Sequence, residues 1–172
     1  MGPHVSRREF ERLVLEHLPA ASRCAIRLTG DPDTAEDIMQ EALLRASRSW
    51  KTFRGRSRFS TWLLRIVINT FRSWLARRRP GRELPEEIRD ARAADPAADA
   101  AANEMGEIVA AAVSALPPRQ REVLVLKAYE QLSTPAVAEL LDISEQAVRT
   151  TLHRARESLR APLAAYLGTN RT

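Results

Sequence analysis

The stretch LLDISEQAVRTTLHRARESLR, residues 140–160, constrains the fold of this 172-residue chain more than any other. Its spacing predicts a helix end, a tight turn and a second helix. Ile143 is an apolar anchor in the turn, and Ser144 is a good N-cap for the second helix. Val148, Leu152, Ala155 and Leu159 recur at i, i+4, i+7 and i+11, one apolar stripe of a helix. The opposite face carries Gln146, Arg149, Thr150, His153 and Arg154. Upstream, Thr134 and Pro135 read as N-cap and first residue of a short helix, with Val137, Leu140 and Leu141 inward and the small Ala138 at a helix crossing. Such a pattern suits a helix-turn-helix whose second helix offers base-reading and phosphate-binding side chains. It also suits an ordinary helical hairpin with a solvated polar face, so the rest of the chain has to decide.

Aromatic residues make up only 5% of the chain while Ala, Leu and Arg abound, which favours helix over sheet. The formal net charge of +5 is unevenly spread: +8 over residues 1–79, −4 over 80–104 and +1 over 105–172. Three segments with different tasks are expected. The single cysteine, Cys24, excludes an internal disulfide framework and falls on an apolar stripe, so a buried structural thiol is expected. His4, His17 and His153 are dispersed and show no ligand spacing, so neither metal nor cofactor is expected. No signal-peptide core and no apolar run approaching the ~20 residues of a membrane span is present, and the expectation is a cytoplasmic protein with no membrane contact.

Residues 6–28 form an amphipathic helix with Phe10, Leu13, Val14, His17, Leu18, Ala21, Cys24, Ala25 and Leu28 on one side. Pro19 is expected to kink it or divide it into two half-helices near Leu18. A second helix, about Asp33 to Trp50, places Ala35, Ile38, Met39, Ala42, Leu43, Ala46 and Trp50 inward. Asp37, Gln40, Glu41, Leu44, Arg45 and Arg48 lie outward or flanking; that face is either simply solvated or a dock for a basic partner helix. In the loop from Lys51 to Arg58, Phe53 stands among Arg54, Arg56, Ser57 and Arg58, a mix of ring and cations that suits unpaired nucleic acid. The third helix, Phe59 to Arg79, is read as burying Phe59, Trp62, Leu63, Ile66, Val67, Thr70 and Trp74, with Arg65, Asn69 and Arg72 on its other face. Loop and helix together make a cationic surface for which phosphate is the natural counter-charge. Residues 80–104 lack apolar period and are rich in Pro, Ala and acid, as expected of a flexible linker. The last segment starts near Asn103, with Ile108, Ala111, Ala112 and Ala115 on one side, breaks at Leu116-Pro117-Pro118 and resumes as a helix to about Glu130.

These residues resemble an extracytoplasmic-function (ECF) sigma factor, the minimal group of the sigma-70 family. The resemblance covers nearly the whole chain. It rests on DTAEDIMQE at 33–41, FRG at 53–55, FSTWL at 59–63 and RIVIN at 65–69, then on LPPRQREV at 116–123, VAELL at 137–141 and VRTTLHRAR at 148–156. It implies an all-α chain of two small helical domains joined by a linker: region two at 1–79, linker 80–104 and helix-turn-helix region four at 105–172. It implies a protein that binds bacterial RNA polymerase core and directs promoter recognition, DNA melting and transcription initiation. Asp37, Gln40, Glu41 and Arg45, with Leu44 among them, match the helix that docks on the beta-prime clamp helices. Phe53, Arg54, Arg56, Ser57, Arg58, Arg65, Asn69 and Arg72 match the surface that opens and reads the minus-ten element, capturing a flipped base. Ser144, Gln146, Arg149, Thr150, His153 and Arg154 match the recognition helix in the minus-35 major groove. The resemblance also implies docking of region four on the beta flap, an anti-sigma factor as external regulator and a monomeric free protein.

Two departures stand out. Asp142 fills a turn position often held by glycine, and Glu145-Gln146-Ala147 and Thr150-Thr151 replace the usual Gly-Thr and Ser-Arg of the recognition helix. Loss of that second cation alters the expected minus-35 sequence but not the docking mode. No nucleophile, base and oxyanion-donor set appears, so an enzyme is not expected. An ordinary helix-turn-helix repressor would not need the aromatic-basic loop and would usually need a dimer interface. A helical adaptor that binds polymerase without reading promoters could keep Asp37 and Glu41 while losing Phe53; this chain keeps all three.

Overall fold

The computed structural model describes residues 6–53, 55, 57–78 and 100–169. Every regular element among them is helical. The chain divides into two units, Met1–Glu86 and Glu87–Thr172.

In the first unit, α1 (Arg7–Thr29) starts at Ser6, whose hydroxyl accepts the Glu9 N–H, and stops at Gly30. There the chain turns left-handed (φ 73°), a conformation glycine adopts without a Cβ clash, and the Gly30 N–H bonds the Ile26 carbonyl. Of the two alternatives expected at Pro19, a kink or a division, the division does not occur: α1 runs as one helix through Pro19. Pro19 lies on the exposed side near Leu15, itself 70% exposed, so the carbonyl that loses its partner can turn to water. α2 (Pro32–Ser49) begins one residue before the predicted start, because Asp31 is the N-cap and Pro32 occupies the first turn. Ala35, Ile38, Met39, Ala42 and Ala46 are buried as predicted.

A short 3-10 turn, Trp50–Thr52, leads to α3 (Phe59–Arg77), which packs on both α1 and α2. Double-sided packing explains why its buried face is wider than one stripe. Leu64, Ile68 and Phe71 are buried beside Phe59, Leu63, Val67 and Thr70, whereas Trp62, Ile66 and Trp74 are only half-buried. Full burial of Leu63, Ile68 and Phe71 contributes about 1.5–3 kcal/mol each, which makes α3 the core helix of the unit. Cys24 is completely buried in α1, as expected.

In the second unit, α4 (Ala100–Ser114) starts inside the predicted linker, in keeping with the helix propensity of Ala100-Ala101-Ala102. Its inward residues differ from the predicted set: Val113 and Leu116 are buried, while Ala111 and Ala115 are exposed. The bulkier Met105, Ile108, Val109, Val113 and Leu116 take the inward side, with Ala112 half-buried among them, and leave Ala111 and Ala115 outside. Arg121 ties the α4 end to the next helix, α5 (Pro118–Leu124), by donating to the Ser114 carbonyl and, at 3.0 Å, to that of Leu116. Burial pushes this guanidinium below its usual pKa.

After α5 the helix widens into a π turn, Val125–Tyr129, closed by the Glu130 N–H on the Val125 carbonyl at 3.1 Å. The unbroken burial of residues 122–126 accompanies it. α6 (Thr134–Leu141) is capped by Ser133, not Thr134: the Ser133 hydroxyl accepts the Ala136 N–H, and Pro135 sits in the first turn. α7 (Glu145–Thr169) packs on α4, α5 and α6. It continues past the predicted 160 and through Pro162.

Candidate nucleic-acid and partner interfaces

The outward row of α2 is built by the burial of the opposite side. Asp37 and Gln40 are exposed, Leu44 is 51% exposed, and Glu41 and Arg45 are partly covered. Arg45 Nε donates to Glu41 Oε1 at 2.7 Å, and Gln40 Nε2 to Glu36 Oε1 at 3.2 Å. The hydrogen bond from Arg45 holds the Glu41 carboxyl below its ordinary pKa, with smaller contributions from the charges of Arg45, Arg48 and Arg77. Thus the row is a mixed surface, an apolar side chain set among acid, amide and an acid–base pair, and not a purely acidic one.

The loop after α2 is anchored by rings. Phe53 closes the 3-10 turn with its N–H on the Trp50 carbonyl at 3.0 Å. Its ring meets Phe59 edge-on (5.5 Å, 87°) and Trp62 at a tilt (5.4 Å, 51°). Phe10 from α1 joins from behind, stacked on Trp50 at 5.8 Å and edge-on to Phe59 and Trp62 at 6.0 and 6.4 Å. His17 stacks on Phe59 at 5.8 Å. Phe53 is therefore half-buried, a wall of a ring cluster and not a freely standing platform. Sequence reading placed Phe10, His17 and Trp50 on core stripes and missed their convergence under the loop. Beyond Phe53, Gly55 takes a left-handed turn (φ 67°), with nothing within 4 Å of where a Cβ would stand. Ser57 is half-buried and Arg58 exposed, while Arg54 and Arg56 lie outside the described residues. On α3, Asn69 is exposed; Arg65 and Arg72 are half-buried and each engaged by a neighbouring group. At the end of the helix Arg78 lies over the Trp74 ring, 4.1 Å from its centroid.

In the second unit, Asp142 ends α6 in the left-handed region (φ 55°, ψ 57°), as its side chain tolerates, and the Ile143 N–H reaches the Ala138 carbonyl at 3.0 Å. Ser144 caps α7 through the Ala147 N–H at 3.1 Å. Val148 and Ala155 are fully buried and Leu152 and Leu159 half-buried, so Gln146, Arg149, Thr150, His153 and Arg154 are all exposed. Arg149 Nη2 bonds Glu145 Oε2 at 2.8 Å. Behind this face Arg119 pairs with the buried Glu122 at 3.1 Å and donates to the Leu141 carbonyl at 3.4 Å, tying α5 to the turn. Among the described residues, no group of three or more His, Cys, Asp or Glu side chains could hold a metal ion, and no helix is long and apolar enough to cross a membrane.

Residues 13–80 match the family described as Sigma-70 region 2, and residues 106–159 the family described as Sigma-70, region 4. The chain is 37% identical to the RNA polymerase sigma-E factor of Streptomyces coelicolor, over 91% of this chain and 87% of that protein. It resembles the sigma factor RpoE solved in complex with the anti-sigma factor NepR from Bartonella quintana, with a TM-score of 0.76, 25% identity and coverage of 91% and 98% of the two chains. CnrH, solved in complex with the cytosolic domain of CnrY, gives a TM-score of 0.68 at 29% identity over 93% and 90%.

Proposed function

This chain belongs to the ECF group of the sigma-70 family, whose members direct promoter recognition and transcription initiation, and on that premise we propose how its surfaces divide the work. Region two (1–79) docks through Asp37, Gln40, Glu41, Leu44 and Arg45 on the clamp helices of the polymerase beta-prime subunit. The Phe53–Arg58 loop, with Arg65, Asn69 and Arg72, opens and reads the minus-ten element. Region four (105–172) lays Ser144, Gln146, Arg149, Thr150, His153 and Arg154 along the minus-35 major groove and docks on the beta flap. Residues 80–104 join the two. The protein acts in the cytoplasm as a non-enzymatic factor, monomeric when free. Its regulator is an anti-sigma factor, in keeping with the partners of the two solved relatives.

The observation that carries this reading is one of placement. A helix-turn-helix with all five polar side chains of its outer helix face exposed shares a chain with a ring-anchored loop, and the helix that follows that loop exposes Asn69. A duplex-binding repressor has no use for the second feature.

The test compares the two steps of initiation in holoenzyme. Phe53→Ala and Asn69→Ala should reduce open-complex formation more than closed-complex binding, since an unpaired base is available only after melting. Arg149→Ala and Arg154→Ala should weaken initial duplex binding, by ~1–3 kcal/mol where a bidentate base contact is lost. Equal losses at both stages for both groups would reject the division.

A further inference from the structure

The first helix lies outside every surface assigned above, yet it reaches the loop that reads the unpaired strand. Phe10 is buried one turn into α1, held there by the Ser6 cap on the Glu9 N–H. Its ring touches Trp50, Phe59 and Trp62. Phe59 and Trp62 are the two rings against which Phe53 rests, and they touch each other at 5.3 Å. Aromatic pairs have preferred edge-on and offset geometries. Moving the ring behind Phe59 and Trp62 therefore changes the angles at which they can receive Phe53. Beyond Phe53 comes Gly55, exposed and in a left-handed turn (φ 67°), with nothing within 4 Å of where a Cβ would stand. Phe53 thus enters that turn directly from its contacts with Phe59 and Trp62.

We propose that Phe10 is a positioning residue for base capture, setting the pose of Phe53 through Phe59 and Trp62, so that selectivity for the captured base depends on a helix that never touches it. This rests on the reading of the Phe53 loop as the minus-ten reader. Phe10 also belongs to the core, so activity or stability alone does not separate positioning from packing. A ratio does, because partial unfolding lowers the rate on every template equally.

The experiment uses holoenzyme on pre-melted minus-ten templates that carry each of the four bases in turn at the captured position. The parent, Phe53→Ala and Phe10→Leu are compared for the ratio of initiation on the best base to that on the others. Phe53→Ala should flatten the ratio, and Phe10→Leu should lower it by about threefold, the scale of one lost ring pair. Affinity for core should stay at the parent value in Phe10→Leu, because the α2 row is untouched. If Phe10→Leu does not accumulate as folded protein, Phe10→Met keeps the bulk without the ring and serves in its place. A flattened ratio in Phe53→Ala with a parental ratio in the Phe10 variant overturns the inference and leaves the loop reading intact. A parental ratio in Phe53→Ala itself rejects the loop reading, and the inference falls with it.

Discussion

Arg149 Nη2 lies 2.8 Å from Glu145 Oε2, one turn back on the exposed face of α7. The side chain proposed to read the minus-35 element is thus already committed to an acid in the free protein. That acid stands in the first helical turn, where the helix dipole favours it. An exposed i,i+4 pair contributes only about 0.3–0.5 kcal/mol, less than a bidentate contact to guanine at ~1–3 kcal/mol, so DNA should win the arginine.

Glu145→Gln should therefore leave the melting temperature almost unchanged and tighten holoenzyme binding to minus-35 duplex a few-fold, because a negative charge leaves the phosphate side of the helix. Filter binding across a salt series reads the change. Weaker binding would show instead that Glu145 holds Arg149 in its reading pose.

Glu41→Lys should weaken binding to core polymerase with little change in helical content or melting temperature. Glu41 is on the outward row of α2, and its carboxylate bonds Arg45 on the same helix. The reversal places three cations, Lys at 41, Arg45 and Arg48, on a row proposed to meet a basic helix. Parental affinity for core would remove Glu41 from the docking surface, and a large fall in melting temperature would assign it a structural role.

Asp31 joins α1 to α2 and offers a pH test of the first unit. Its Oδ2 accepts the Thr34 N–H at 2.9 Å and the Thr34 hydroxyl. Those bonds, the hydroxyl first, hold the carboxyl below its ordinary pKa despite partial desolvation, with a smaller contribution from Arg78. A depressed pKa stabilises the fold above the unfolded value of about 3.9, and the contribution is lost as pH falls through the lower folded value. Asp31→Ala should cost about 0.5–2 kcal/mol at pH 7, and Asp31→Asn less. In urea unfolding, the gap between parent and Asp31→Asn should shrink below about pH 4. A gap that does not change with pH would mean the carboxylate charge contributes nothing.

The parts of this fold whose fully buried residues fall on one narrow stripe could be read in the sequence. A single period reports Ala35, Ile38, Met39, Ala42 and Ala46 on α2 and Val148 and Ala155 on α7, although both helices pack on more than one neighbour. α3 could be read only in part: Phe59, Leu63, Val67 and Thr70 follow the period, but Leu64, Ile68 and Phe71 are buried as well, on a face wider than one stripe. α4 failed for another reason: Ala111 and Ala115 are apolar enough to count in a stripe but too small to compete with Val113 and Leu116 for the core. The site shows the same division. Exposure of Arg149 and His153 follows from burial of Val148 and Ala155, whereas Phe10, Trp50 and Phe53 come together only through the packing of α1 on α3. Ser133 rather than Thr134 as the α6 cap was a choice between adjacent hydroxyls, which only the position of the Ala136 N–H decides.

The reading surface of α7 also predicts how the free chain behaves on DNA. Helix-turn-helix proteins usually gain affinity by pairing two recognition helices on a palindromic site. Here a single helix proposed for recognition exposes Arg149 and Arg154, with Gln146, Thr150 and His153 beside them. One module of this kind buries about 600–1,000 Å² and makes few phosphate contacts. On intact duplex the minus-ten surface adds only phosphate attraction without sequence preference, because its loop is proposed to take an unpaired base. Free protein should therefore bind promoter duplex weakly, with little preference over random sequence. Each phosphate contact lowers affinity by a slope of about 0.9 in log salt, so what binding there is should fade as salt rises. Core polymerase should convert the same chain into a specific binder by holding both units on one DNA at once. Gel shifts of the 172-residue chain on promoter and scrambled duplex, with and without core, measure this directly. Tight, sequence-specific binding by the free chain would mean that region four acts alone as a repressor does, and the proposed dependence on polymerase would be wrong.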